Sequence, residues 1–393
     1  MKTRTFVRWI GVAVAFVSTV SIVSMPAYAE TGVTNDTIKI GLFGEMTGAA
    51  SLYGKSVYGA EAVYKQANDA GGVNGRKIEI VREDESCDPS KGIAAVRKLV
   101  SQDQVFMIHG GVCSGVVLAA RPELIKSGVP FMDLGAASVM ISTPFAANIF
   151  QPVATTDAVG RRMADFAMSR AGTTKVAIIS HSDDWGKSNR DPAVAELKQK
   201  FNLQPVADLS MERGTSDATP QVLKVKTSGA QVVLAMLYPA ELAIFMRDAY
   251  KYGLQVPVLG SQGVSLDDTR QRAGNPHAAD NLYVFYPLVA PLDDARMQPW
   301  LKLVNRYGSG GQPETFTFLG MGGAVAVVQA LKDSGRDLTR ERFIAALNNL
   351  HGFDTGVMAA PLTFTATDHA GLKTGSMLTY VNGKATVVQA LQK

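Results

Sequence analysis

The residues of this chain that could carry out chemistry are few and stand apart from one another. His109 and Cys113 are four positions apart, which raises the question of a metal site or a cysteine nucleophile with its base. Across a strand-to-loop transition that spacing does not place both side chains on one face, and no third ligand lies nearby in sequence. The five histidines are scattered, and no H-E-x-x-H or paired C-x-x-C motif occurs. The sequence therefore disfavours an enzyme, a metal site and a cofactor.

A glycine-rich segment at residues 110–115, GGVCSG, joins an apolar strand to a helical segment. Its glycines would let the backbone approach a guest, and amides at the start of the helix could hold a carboxylate. The alternative is an ordinary strand-to-helix turn. The segment lacks the Gly-Lys-Ser/Thr ending of a Walker loop and the G-x-S-x-G of a nucleophile elbow, which disfavours phosphoryl and acyl transfer.

Acidic and aromatic residues occur near the ends of several elements. The acid pair in residues 183–186, DDWG, could bind a metal, but further oxygen ligands are missing, which favours a solvated turn with an aromatic lid. Tyr53, Trp185, Tyr238 and Phe316 fall in loops or at element ends. Aromatic side chains in such places can wall an apolar ligand pocket, although core or hinge packing would account for each one singly.

The elements that position these residues alternate between strands and helices. Apolar runs predict strands over 38–43, 77–82, 105–109, 130–132, 175–180, 204–209 and 232–236. Helical spacing predicts helices over 58–70, 93–100, 118–126, 157–170, 192–200 and 222–227. Such alternation requires crossover connections and a parallel sheet. Because open α/β sheets bind ligands beyond the carboxyl ends of their strands, a site is expected in the loops after Phe43, His109, Met132, Ser180, Met236 and Leu259.

The first 29 residues have the pattern of a secretory signal peptide. Lys2, Arg4 and Arg8 precede an apolar run over 9–25, and Ala27-Tyr28-Ala29 is an A-x-A cleavage site before Glu30. The run is short of the ~20 residues that span a bilayer, and no later stretch is expected to span one. No cysteine stands near the cleavage point to carry a lipid. We expect a soluble, exported protein that is cleaved after Ala29.

Composition narrows the class of partner and the number of domains. Removal of the leader leaves 36 basic against 35 acidic residues, so neither nucleic acids nor anionic membranes have an electrostatic basis for binding. The 364 remaining residues suit two domains of ordinary size. Cys87 and Cys113 stand alone in an exported chain, where an oxidising compartment favours a disulfide over a reactive thiol.

Several short motifs occur in a fixed order along nearly the whole mature chain. They are Ile38-Lys-Ile-Gly-Leu42, Met46-Thr-Gly48, Tyr53-Gly54, Gly71-Gly-Val-Asn-Gly75, Cys87-Asp-Pro89, Cys113-Ser114, Gly253-Leu254 and Gly260-Ser-Gln-Gly-Val264. In this order they resemble the leucine/isoleucine/valine-binding protein family, the periplasmic solute receptors of ABC importers. The separation of Cys-Asp-Pro from Cys-Ser is the most specific feature of the resemblance.

The resemblance implies a fold and a mode of action. The fold is the type I periplasmic-binding fold, an α/β structure in which two Rossmann-like lobes with parallel sheets are joined by three crossover strands and close on a solute. The N-terminal lobe is expected to comprise residues 30–152 and 288–360, and the C-terminal lobe residues 153–287 and 361–393. The implied partners are a small-molecule solute and a membrane permease, and the receptor is expected to be monomeric and periplasmic.

The resemblance also implies a ligand site. The family's disulfide falls on Cys87 and Cys113. Its contacts to the ligand carboxylate fall on Ser114, on the backbone around Ala136, and on Ser138, which replaces a threonine common at that place. The implied aromatic wall consists of Tyr53 in the first lobe and of Trp185 and Tyr238 in the second.

One departure from the family bears on the ligand. The Gly-x-x-Gly-Val turn carries Gln262 where amino-acid receptors of the family have a Glu that binds the α-ammonium. A neutral amide gives up that charge complement. We therefore expect the solute to be a small carboxylate with an apolar or aromatic group. We expect some of Met236, Phe316, Phe318 and Met321 to line the pocket for that group. The alternatives are a hydrophobic amino acid, with Glu45 or Asp133 reaching the ammonium, and a ligand sensor of the amide-receptor type.

Overall fold

The computed structural model describes residues 1, 3, 5, 30–48, 51–308 and 311–389. The predicted signal peptide and its cleavage site lie outside the described residues, apart from three isolated positions. The strands are β1 (Thr37–Gly44), β2 (Lys77–Asp84), β3 (Met107–Gly110), β4 (Phe131–Asp133), β5 (Ile149–Ala154), β6 (Val176–His181), β7 (Ala207–Met211), β8 (Val232–Met236), β9 (Val258–Gly260), β10 (Leu282–Tyr286), β11 (Ala370–Leu372), β12 (Ser376–Val381) and β13 (Lys384–Val388).

Helices follow most strands, as the alternation predicts. They are α1 (Lys55–Asp69), α2 (Pro89–Ser101), α3 (Ser114–Ser127), α4 (Thr156–Met168), α5 (Asp184–Phe201), α6 (Thr219–Ser228), α7 (Pro239–Lys251), α8 (Leu266–Ala273), α9 (Gln298–Tyr307), α10 (Thr315–Asp333) and α11 (Arg340–Asn348). Helices α1–α3 and α9–α11 form the layers of one lobe, and α4–α8 those of the other.

The strands form two sheets, one in each lobe. The first has the order β11-β5-β4-β3-β1-β2, and all its neighbours are parallel. The second has the order β13-β12-β10-β9-β8-β6-β7, in which β12 and β13 are antiparallel additions to a parallel core. Strand β8, with sequence VVLAM, is buried along its whole length, as expected of a parallel strand covered on both faces.

The chain passes between the lobes three times. It crosses after β5, returns after β10, and crosses again between β11 and β12. These connections and the two parallel sheets confirm the predicted fold class. One predicted boundary is wrong, because β11 pairs with β5 in the first sheet although residues 361–393 were expected in the second lobe. The last crossing therefore lies between Leu372 and Ser376.

Helix α5 begins eight residues earlier than the sequence predicts. Helical spacing predicts a helix over 192–200, beginning at Pro192. In the structure Pro192 lies inside the helix, and Asp183 caps the start by accepting a hydrogen bond from the Gly186 amide at 2.9 Å. The DDWG segment, predicted as a solvated turn with an aromatic lid, is thus the N-cap and first turn of a helix, in which Asp184 is exposed.

Helices α1 and α10 pack with their backbones in contact. A Cβ atom at Gly59 would collide with the Thr317 carbonyl, and one at Gly320 with the Ser56 carbonyl. Helix α10 is long and apolar enough to span a membrane, with a mean hydropathy of 1.3, contrary to the sequence-based expectation. Within its most apolar 18-residue segment, 78% is buried inside the protein, which identifies α10 as a core helix of the first lobe.

Candidate ligand-binding cleft

A cleft of about 560 Å³ lies between the lobes, beyond the carboxyl ends of the strands. Its volume is in the range of small-molecule sites. It brings together seven of the eight ligand residues predicted from the sequence: Tyr53, Ser114, Ser138, Trp185, Tyr238, Gln262 and Phe316.

Ala136 is the exception among the predicted residues. It is fully buried, its amide donates to Asp133 Oδ1 at 3.0 Å, and its carbonyl accepts from Gln151 Nε2 at 2.8 Å. Both backbone groups are therefore occupied within the protein. The neighbouring Gly135 and Ala137 line the cleft in its place.

Two serines meet at the first-lobe wall, where helix α3 begins. Ser114 is the first residue of α3, and its Oγ accepts a hydrogen bond from the Ser138 amide at 3.2 Å. Because a hydroxyl has one proton, and here its oxygen is the acceptor, the Ser114 proton remains available to a guest. The amides of the first turn of α3 add partial positive charge at the same place.

A disulfide and buried carboxyl groups lie behind this wall. Cys87 and Cys113 are joined with their Cα atoms 5.7 Å apart, which confirms the predicted pairing. Glu45 Oε1 accepts from the Cys113 amide at 2.5 Å, next to Ser114. Burial raises the pKa of Glu45 to about 7, and burial together with the charge of Glu45 raises that of Glu85 to about 8.

Neither acid that the sequence offered as a partner for an ammonium group lines the cleft. Glu45 and Asp133 are both fully buried, and each is engaged with a backbone amide of its own lobe. Burial raises the pKa of Asp133 well above its ordinary value. The alternative in which Glu45 or Asp133 reaches an ammonium group in the cleft is therefore wrong.

Two pairs of aromatic rings line the cleft. Tyr53 and Phe316 have ring centroids 4.7 Å apart, and both belong to the first lobe. Trp185 and Tyr238, from the second lobe, stack at 4.6 Å with planes 19° apart. The Tyr238 hydroxyl donates to Asp183 Oδ2 at 2.9 Å. Burial, and then the charge of Asp183, raises the pKa of Tyr238, so the phenol stays neutral.

Three other apolar residues that the sequence suggested for the pocket belong to the core. Met236, Phe318 and Met321 are fully buried and do not line the cleft. Met236 ends the buried strand β8, while Phe318 and Met321 lie on α10 beyond its first turn.

Among the described residues, every charged side chain that lines the cleft comes from the second lobe. These residues are Asp183, Asp184, Arg213, Glu241 and Arg272. Arg213 was not among the predicted site residues, because the predicted strand over 204–209 ends two residues too early and β7 continues to Met211. The extension places Arg213 directly beyond the carboxyl end of that strand, a position where ligand contacts are expected.

Gln262 makes a contact between the lobes. Its Nε2 donates to the carbonyl of Ala154 at 2.9 Å, and Ala154 is the last residue of β5. A glutamate carboxylate could not donate this hydrogen bond. The neutral side chain therefore has a structural role at the point where the chain first crosses between lobes.

The model of the periplasmic binding protein family matches residues 37–385 of this chain. The chain belongs to this family. Its members are solute-binding proteins, and membership places the protein in the periplasm. An amino acid binding protein of Pseudomonas aeruginosa is 28% identical over 302 residues, which are 76% of this chain and 79% of the relative.

Two solved structures show the same fold. One is a branched-chain amino acid transporter substrate-binding protein of Streptococcus pneumoniae in complex with isoleucine, with a TM-score of 0.76, 23% identity, and coverage of 90% of this chain and 99% of that one. The other is a solute-binding protein of R. palustris in complex with 4-hydroxybenzoate, with a TM-score of 0.74, 21% identity, and coverage of 90% and 96%.

Proposed function

We propose that this protein is the periplasmic receptor of an ABC importer and that it binds a small carboxylate bearing an apolar or aromatic group. The observation that carries the proposal is that different parts of the cleft suit different parts of such a solute. An uncharged wall offers the Ser114 hydroxyl and the amides at the start of α3, and aromatic rings line both lobes. Such a site binds one anionic end and one apolar body.

Delivery to a permease follows from contacts to both lobes. A solute held by Ser114 and Ser138 on one side and by Trp185 and Tyr238 on the other favours the closed state over the open one. A permease can then distinguish the loaded receptor by its shape. Binding without catalysis is what this cleft supports, and we propose a monomer that needs no cofactor and is cleaved after Ala29.

The names of similar proteins support this ligand class without fixing the ligand. The relative from P. aeruginosa is an amino acid binding protein, and the two structural neighbours hold isoleucine and 4-hydroxybenzoate. Both of those ligands combine a carboxylate with an apolar body. We favour a carboxylate without an α-ammonium, because Gln262 is neutral and its amide nitrogen is engaged with Ala154.

A hydrophobic amino acid is the second candidate, and one observation favours it. Asp184 lines the cleft and is exposed, so its carboxylate could meet an ammonium group. In that case the second lobe would supply the acid that the Gly-x-x-Gly-Val turn lacks.

A thermal-shift screen separates the two candidates. The purified mature protein is incubated with leucine, valine, benzoate, 4-hydroxybenzoate and 4-methylpentanoate, and each hit is titrated by calorimetry. A ligand that binds only the native state raises the melting temperature. We expect the acids without an amino group to give the larger shifts. Micromolar binding of leucine with no response to the other acids would establish the second candidate instead.

A further inference from the structure

Arg213 is a cation without an anionic partner inside the cleft. Within the part of the chain that the structure describes, no carboxylate lies at ion-pair distance from it and no side-chain hydrogen bond engages its guanidinium. Arg272 also lines the cleft, but its Nε lies 2.8 Å from Asp268 Oδ2. Among the described arginines of the cleft, Arg213 is therefore the one whose charge is not paired with a carboxylate, and its guanidinium donors remain open to a solute.

The loop around Arg213 is held in place on both sides. The Gly214 amide donates to Glu241 Oε1 at 2.8 Å, and Glu241 is buried. Glu212 Oε2 accepts from the Ser182 hydroxyl at 2.6 Å. These bonds fix the backbone before a solute arrives, so less conformational entropy is lost when the guanidinium binds.

The guanidinium stands at the aromatic wall of the second lobe and lines the cleft. Its central carbon lies 4.9 Å from the centroid of the Tyr238 ring, a cation–π distance. Burial raises the pKa of both Tyr238 and Tyr53, and the charge of Arg213 acts on both in the opposite direction. Tyr53 and Arg213 line the same cleft from opposite lobes, so the guanidinium belongs to the wall across from the first lobe.

We propose that Arg213 binds an oxygen acceptor at the end of the solute remote from its carboxylate. The inference rests on the proposed function, in which Ser114 and the start of α3 hold the first carboxylate. A guanidinium on the facing wall then meets the far end of the same molecule, where a hydroxyl or carboxylate oxygen can accept its donors. The solute class is an aromatic carboxylate with an oxygen substituent across the ring.

The test compares acids that differ only at the remote end. Benzoate, 4-hydroxybenzoate and terephthalate are titrated by calorimetry into the wild type and into Arg213→Gln, Arg213→Lys and Arg170→Gln. Arg170 is exposed on the second lobe at the end of α4, outside the cleft, and controls for the loss of one positive charge. Comparison of 4-hydroxybenzoate with terephthalate shows whether the guanidinium prefers a hydroxyl or a carboxylate oxygen.

We expect the wild type to bind at least one of the two substituted acids about 10- to 100-fold more tightly than benzoate, the range for a hydrogen bond to a charged group. Arg213→Gln should abolish this preference, while its affinity for benzoate should change by less than about threefold. Arg213→Lys should keep part of the preference, and Arg170→Gln should keep all of the preference. Equal weakening of all three acids in Arg213→Gln, or no preference in the wild type, overturns the proposal.

Failure of the proposed function gives a different result. If leucine binds and the aromatic acids do not, the ligand class is wrong, and the same comparison is made with leucine and glutamate. A glutamate preference that disappears in Arg213→Gln still supports the role of Arg213. A leucine preference that survives in the variant overturns it.

Discussion

The two walls of the cleft are built on different principles. The first-lobe wall carries no charged residue among those described, and it presents a serine hydroxyl, backbone amides and a pair of aromatic rings in front of a disulfide. The second-lobe wall contributes five charged side chains and a stacked tryptophan and tyrosine. The first wall can bind a carboxylate whatever is attached to it, so selection among carboxylates falls to the second.

The walls also differ in how deeply their polar groups are buried. Behind the first, the Cys113 amide is tied to buried Glu45 and the Cys113 sulfur to Cys87. On the second, Asp184, Arg213 and Arg272 are exposed. The difference predicts that changes behind the first wall cost stability as well as binding, whereas changes on the second alter mainly the choice of solute.

The largest effect should come from removing the disulfide behind the first wall. A Cys87→Ser, Cys113→Ser double variant reopens a loop with a sequence separation of 26, which should lower the free energy of unfolding by about 3 kcal/mol. Urea denaturation of the double variant and the wild type measures it. Thiol titration of the denatured, unreduced wild type should find essentially no free thiol. Equal unfolding midpoints would show that the first wall does not depend on the cross-link.

Removal of the Ser114 hydroxyl should have the next largest effect. Ser114→Ala deletes one hydrogen bond to the solute carboxylate and should weaken binding by about 1.5 to 3 kcal/mol without unfolding the protein. Ser127→Ala, at the other end of α3, is the matched control, since its hydroxyl bonds only to nearby backbone groups. Calorimetry with the identified solute decides the matter. Unchanged affinity in Ser114→Ala would mean that this turn is structural only.

Stability should fall as the pH rises through the range in which the buried acids titrate. Glu45 and Glu85 have an ordinary pKa of 4.5 and folded-state values of about 7 and about 8, so the folded protein keeps protons that the unfolded chain has released. The contribution of these two groups to the free energy of unfolding is complete below pH 4.5 and is lost as the pH rises through 7 and 8. The free energy of unfolding falls by no more than about 1.4 kcal/mol per pH unit for each extra proton that the folded state holds.

Urea unfolding between pH 7.5 and 9 checks this dependence, because a histidine with the ordinary pKa of 6.5 is about nine-tenths deprotonated or more over this interval. His109, whose pKa is lowered to about 3 by burial, is therefore essentially neutral in both states there. Glu85→Gln should flatten the curve and should be more stable than the wild type at pH 8.5. A wild-type curve that rises over this interval would contradict the sign.

The smallest effect should come from Gln262 on the second wall. Gln262→Glu loses the donor to the Ala154 carbonyl and adds a charge facing an anionic solute, so binding of an aromatic acid should weaken by about 1 kcal/mol or more. Gln262→Leu loses the same hydrogen bond without the charge and separates the two causes. If Gln262→Glu binds leucine more tightly than the wild type does, this turn corresponds to an ammonium-binding site whose acid is replaced by Gln262 in this chain.

Sequence reasoning recovered the fold because periodicity and turn residues report on local structure. The sequence predicted β1–β4, β6–β8, α1–α4 and α6 within about four residues at each end. It did not predict β5, β9, β10 or α7 as elements, and it gave α5 too late a start. The start of α5 was missed because Pro192 is placed inside the helix by packing, where Gly160 of α4 comes against the Asn189 carbonyl. β11 was assigned to the wrong lobe because three residues carry too little pattern to identify their sheet.

The cleft was predicted where family motifs carried the information and missed where they did not. Seven of the eight predicted ligand positions lie on one cleft, and all of these except Phe316 came from the resemblance. Arg213 depended on a strand end that was misplaced by two residues. Glu45 and Asp133 appeared available because burial and hydrogen bonding to the backbone cannot be read from a single sequence.

The contact between α1 and α10 has a consequence for how the aromatic wall can vary. Tyr53 lies just before α1 and Phe316 in the first turn of α10, and Gly59 and Gly320 set how closely those helices approach. A side chain at either glycine would force the helices apart and spread the two rings. The width of the pocket can therefore be tuned during evolution from positions that never touch the solute, and a comparison of wall residues alone would overlook such changes.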